Sequence, residues 1–117
     1  MTRRLRLALL ACLGATLVAF AALGGSAGAR GSFTVKLDDD FFAPKSATVA
    51  KGTKVKFKWV GEDDHSVAKR SGPGGSFESE LTDAQGVNFE KTFKKAGTYR
   101  LICTIHDEMK MTLQVKN

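Results

Sequence analysis

The chain has 117 residues, with 18 Lys+Arg against 12 Asp+Glu, a formal net charge of +6, two histidines, two cysteines and one tryptophan. That length accommodates one domain and excludes a large multi-domain enzyme. Hydrophobic residues at 43% and charged residues at 26% describe a globular chain rather than a disordered one.

The amino end is a segment of its own kind. Arg3, Arg4 and Arg6 precede Leu7–Leu23, which carries no charge, and small residues follow from Gly24 to Ala29. A basic start, an apolar run and an Ala27-Gly28-Ala29 ending form the pattern of a secretory signal peptide over residues 1–29, cut after Ala29. Retention as a membrane anchor is the alternative, although the apolar run is at the short limit for a span. The domain expected to remain is 30–117, exported to a periplasmic or extracellular location, with membrane contact only if the segment is kept. Loss of the three arginines lowers the net charge from +6 to +3. The basicity is then partly a targeting feature and argues against a nucleic-acid partner. Cys12 leaves with the segment, so Cys103 is the one cysteine of the remaining chain and has no internal disulfide partner. A lone thiol in an oxidising compartment is exposed to oxidation unless buried or ligated.

Period-two patterning runs through the rest. Phe33, Val35 and Leu37 form one apolar set, and Asp38-Asp39-Asp40 after them reads as a solvated loop. Val55, Phe57 and Trp59 alternate with Lys54, Lys56 and Lys58, the solvated face of a strand on which no aromatic interleaves for a single-strand binder. The stretch Ser79–Gln85 has room for one helical turn at most. Val87, Phe89 and Phe93 share a phase, followed by Tyr99, Leu101 and Cys103, then Met111, Leu113 and Val115. Turn signals stand at Lys51-Gly52, Gly61-Glu62-Asp63, Ser71–Gly75 and Ala96-Gly97. Short strands without crossover helices predict an all-β, antiparallel β-sandwich.

The chemistry-bearing residues gather near the carboxyl end. Cys103 closes an inward phase, and His106 and Met109 follow at steps of three; the only other histidine, His65, lies beyond the Trp59 strand. A thiolate, two imidazoles and a weak thioether are the ligand set of a blue-copper electron-transfer site. Thiolate and thioether favour Cu(I) and imidazole also suits Cu(II), so a mixed site needs little rearrangement when an electron arrives. Zinc accepts the same ligands, but copper has the intrinsic advantage at nitrogen and sulfur donors.

The segment Cys103–Met109 (CTIHDEM), preceded by Gly97–Ile102 and followed by Lys110–Val115, resembles the small cupredoxins, the plastocyanin, amicyanin and pseudoazurin group. The resemblance extends through Phe42-Ala43-Pro44, Gly52-Thr53, Val55-Lys56-Phe57, His65-Ser66-Val67 and Phe93–Tyr99. It implies a Greek-key β-sandwich holding one copper ion, with His65, Cys103 and His106 as equatorial ligands and the His106 edge near the surface as the electron port. The axial role falls to Met109 by the short His–Met spacing, or to Met111 by the longer one; Met109 is favoured, with Met111 packing beneath it. Ser66 stands where plastocyanins have Asn, and its backbone N–H is expected to hydrogen-bond the Cys103 sulfur.

The function that follows is a mononuclear blue-copper protein, expected to be monomeric, that shuttles single electrons between extracytoplasmic redox partner proteins. The competing reading is a copper storage or delivery protein without an electron-transfer role. An enzyme is not expected. A catalytic thiol needs an exposed pocket, whereas Cys103 is in an inward phase. Catalytic coppers need further histidines, and both histidines are already assigned.

Overall fold

Alternation is realised as strands in which the lysines face water and the apolar partners face inward. The computed structural model describes residues 31–117, and the expected signal segment at 1–29 lies outside the described residues. Eight strands follow in order: β1 (Ser32–Asp38), β2 (Phe41–Ala43), β3 (Ser46–Ala50), β4 (Lys54–Trp59), β5 (Ala68–Ser71), β6 (Gly86–Thr92), β7 (Gly97–Cys103) and β8 (His106–Lys116). They form two four-stranded sheets, ordered β2-β1-β4-β6 and β3-β8-β7-β5. No helix occurs among the described residues; Ser79–Gln85 is irregular instead, and Thr82 makes an isolated bridge to His65.

The sheets are mixed, which corrects the expectation of an antiparallel sandwich. β1 runs parallel to β4, and β3 runs parallel to β8; the remaining pairs are antiparallel. The reason lies at Pro44. β2 pairs back along β1, the chain turns at Pro44, and β3 continues on the other sheet, so β4 returns beside β1 in the same direction. Period-two patterning identifies the buried face of a strand but says nothing about the direction of its neighbour.

Side chains from both sheets meet in one core. Trp59, Phe42, Phe57, Phe93, Leu37, Leu101, Met109 and Leu113 are fully buried within it. Each large apolar side chain contributes about 1.5–3 kcal/mol by leaving water. Val87 departs from its expected inward phase. A register shift in the β4–β6 ladder leaves Phe57 opposite Phe89 but sets Val87 opposite the outward Lys58, and Val87 is exposed. The extra residue of such a bulge inverts the faces beyond it. At the far end of β7, the buried Tyr99 hydroxyl donates to the Lys95 carbonyl at 2.6 Å, a tyrosine corner that pins the strand's start. Burial raises the Tyr99 pKa, keeping that donor protonated.

Candidate metal centre

Three connections meet at one end of the sandwich: the β1–β2 turn, the β4–β5 loop and the β7–β8 turn. His65 belongs to the β4–β5 loop, and its backbone is held on both sides. Its N–H donates to the Thr82 carbonyl at 3.0 Å, and its carbonyl accepts from Thr82 N–H at 3.2 Å. The buried Trp59 indole N–H is shared between the His65 and Thr82 carbonyls at 3.0 and 2.9 Å. These bonds satisfy the polar backbone of a loop that enters the interior.

The His65 ring is wholly buried, and its two nitrogens have different fates. Nε2 donates to Asp39 Oδ1 at 2.8 Å, so Nδ1 is left as the lone-pair nitrogen. Nδ1 is also the one buried side-chain polar atom, among the described residues, with no hydrogen-bond partner. A buried acceptor without a partner is costly. The ring stands in a cluster with Cys103 and His106, in which one ring nitrogen of each histidine and Cys103 Sγ all lie within 4.8 Å of one another. Cys103 Sγ and His106 Nδ1 are 3.5 Å apart. Nitrogen and sulfur ligands about 2.0–2.3 Å from one ion stand roughly 3.5–4 Å apart, so the three atoms are spaced for a shared metal.

Asp39 is the residue that sequence reasoning missed, having been read as part of a solvated loop. Besides His65, its carboxylate accepts the backbone N–H of Glu62 at 2.8 Å and of Asp63 at 2.9 Å. Those two N–H donors, then the His65 hydrogen bond, lower its pKa to about 2. Gly61 makes the approach feasible, because a Cβ there would stand 2.9 Å from the Asp39 backbone nitrogen and closer still to its carboxylate. The Asp39 charge in turn raises the pKa of Asp63, and the neighbouring Asp40 carboxyl raises it further. Nothing in a run of three aspartates distinguishes the one that reaches a histidine 26 positions away.

Cys103 and His106 flank the two-residue β7–β8 turn and pair across it. Cys103 is buried, whereas the His106 side chain keeps 23% of its surface, so one edge of the candidate cluster reaches solvent. His106 Nε2 lies 3.4 Å from Asp40 Oδ1. Ser66 joins the two ligand-bearing loops, though not as expected. It is the Ser66 side chain that makes the link: Oγ accepts the Thr104 N–H at 3.1 Å and shares a 2.8 Å hydrogen bond with Thr104 Oγ1. Met109 and Met111 are both buried on the inner face of β8. Met111 pairs with Leu101, and Met109 lies two residues nearer the turn, in a register shift beside Cys103. Three exposed apolar side chains belong to the chain near this end: Phe41 at the start of β2, Ile105 in the β7–β8 turn, and Leu81 beside the Thr82 that bridges His65.

A cupredoxin-like domain matches residues 7–115. The chain belongs to the cupredoxin-like family. Copper is the cofactor of that family, and His65, Cys103 and His106 are its candidate ligands here. A halocyanin from Natronomonas pharaonis is 35% identical over 66 residues, which are 56% of this chain and 40% of that protein's length. Among solved structures, a mutant fern plastocyanin is 30% identical, with a TM-score of 0.62, over 71% of this chain and 99% of that one. A copper-containing nitrite reductase from Thermus scotoductus is 28% identical with a TM-score of 0.63, over 74% of this cupredoxin but 22% of the enzyme. A copper(I) form of a mutant amicyanin shares the fold, with a TM-score of 0.66 at 22% identity over 74% of this chain and 83% of that one.

Proposed function

We propose that this cupredoxin is an exported mononuclear blue-copper electron carrier, with His65 Nδ1, Cys103 Sγ and His106 Nδ1 as equatorial ligands and Met109 as the axial one. The observation that carries the reading is a fully buried His65 ring that clusters with a thiol and a second imidazole and keeps a partnerless Nδ1. Copper bound there supplies a Cu(I)/Cu(II) couple. The protein's own part is to fix the donors. Asp39 holds the His65 tautomer, Trp59 and Thr82 hold its backbone, and Ser66 keeps the Cys103 turn at a set distance. Rigid donors oppose rearrangement between oxidation states, which is what rapid electron exchange requires and what a storage or delivery protein does without.

The port is the exposed edge of His106, with Phe41, Leu81 and Ile105 as apolar contacts for redox partner proteins. Catalysis is not proposed: the likeness to nitrite reductase covers about a fifth of that enzyme, and both histidines of this chain are in the one cluster. Cu(II) titration of the protein tests the reading. An intense blue band with narrow copper hyperfine splitting, abolished by Cys103→Ser, is the expected result. A pale spectrum with wide splitting, or a Cys103→Ser variant that stays intensely coloured, refutes it.

A further inference from the structure

The two ends of the charge distribution differ. Asp39, Asp40, Glu62, Asp63 and Asp64 fall on the β1–β2 turn and the β4–β5 loop at the metal end, and Asp107 and Glu108 follow His106 at the start of β8. On the second sheet, Lys45, Arg70, Arg100 and Lys110 line a groove of about 330 Å3, with Ile102 and Thr112 between them on the outward face of β7 and β8. No carboxylate lines it. None of the four cations belongs to an ion pair among the described residues, and the only side-chain hydrogen bond of Arg100 is a long one to Thr112 Oγ1, 3.4 Å. The lysine stripe of β4 provides the contrast. There Lys54 is paired with Glu90 at 3.6 Å, and Lys56 stands opposite the same glutamate in the β4–β6 ladder.

We infer that this groove docks an acidic surface of a protein partner. The four cations come from four separate segments, the β2–β3 connection, β5, β7 and β8, and each is exposed. An exposed cationic rim around the half-buried Ile102 and Thr112 is the make-up of a protein interface, whereas a small-anion site needs buried, pre-aimed donors. Complementary charge steers such a partner to the groove, and the carboxylates of the metal end repel it from the His106 edge. The groove is still close to the centre in the chain: Ile102 immediately precedes Cys103, and Lys110 immediately follows Met109. The protein thus has two faces of opposite sign for two kinds of partner. This names a partner class for the proposed electron carrier and rests on that reading.

The test is an amide-resolved NMR titration of the copper(I)-loaded protein with an octaglutamate peptide. Shifts confined to Arg70, Arg100, Ile102, Lys110 and Thr112, sparing Lys54–Lys58, are expected. An Arg70→Glu/Arg100→Glu variant should bind the peptide roughly tenfold more weakly and keep the blue spectrum of the oxidised form. Lys45→Gln/Lys110→Gln, at exposed positions, provides a second variant with a smaller loss. Shifts spread over every lysine, or unchanged affinity in both variants, overturn the inference. So does saturation of the groove by inorganic phosphate or phosphatidylglycerol vesicles when the peptide leaves it unmoved. Because the titration reads the groove with or without metal, peptide binding in a protein that gives no blue band refutes the electron-carrier reading alone.

Discussion

The Ser66–Thr104 link makes a quantitative prediction about how the ligand-bearing loops are held. Ser66 is fully buried and its Oγ makes two hydrogen bonds to Thr104, one from the backbone N–H and one with the side-chain hydroxyl. A typical net hydrogen bond contributes about 0.5–1.5 kcal/mol. Ser66→Ala removes both and should cost about 2 kcal/mol, whereas Thr104→Val removes only the hydroxyl bond and should cost about 1 kcal/mol. For a domain of this size, 1 kcal/mol corresponds to roughly 4–8 °C in Tm, so Ser66→Ala should lower the melting temperature by about 8–16 °C. The assay is thermal unfolding of the metal-free protein, the two single variants and the double variant. The double variant should cost no more than Ser66→Ala alone, giving a coupling of about 1 kcal/mol. Bound copper raises the melting temperature of every member, because ligand bound only to the native state stabilises it. Equal costs for the two single variants, additivity in the double, or a Ser66→Ala variant that melts with the parent would show that the link does not hold the loops.

Four further outcomes are expected. Met109→Gln should change the reduction potential and visible spectrum more than Met111→Gln; the reverse order, read by voltammetry and absorption, assigns the axial role to Met111. Asp39→Asn removes a negative charge from the His65 ring, which disfavours Cu(II), and should raise the reduction potential while leaving the fold intact. With the Asp39 pKa lowered from 3.8 to about 2, the carboxylate contributes stability that is fully present above pH 4 and is lost as pH falls toward 2. Acid unfolding monitored by circular dichroism should therefore be shallower over that window in Asp39→Asn. Asp63, whose pKa is raised, works in the opposite sense and partly flattens the parent's profile. Tyr99→Phe should cost about 1 kcal/mol by removing the bond to Lys95, with no change in the copper spectrum, since the corner lies at the other end of β7 from Cys103.

Much of this protein was legible in the chain itself. Alternation at Val35-Leu37, Val55-Phe57-Trp59, Tyr99-Leu101-Cys103 and Met111-Leu113-Val115 marks the buried faces, and those side chains are buried. The reason is local: a strand's side chains alternate, so the apolar phase reads directly as the inner face. The Cys103 and His106 pair was equally legible, because two residues between them form the turn of a hairpin. What tertiary structure decided was every relation across long separations. Strand direction came from the sheet change at Pro44, and the outward turn of Val87 came from a register shift in a ladder between distant strands. Asp39 was promoted from a loop aspartate to the partner of His65 by the approach of β1 to β4, and the Ser66 hydroxyl found Thr104 through 38 intervening positions. Composition and spacing name the atoms able to bind a metal. Only the packing of the two sheets determines which of their lone pairs are left unsatisfied, and so which donors are gathered into a candidate site.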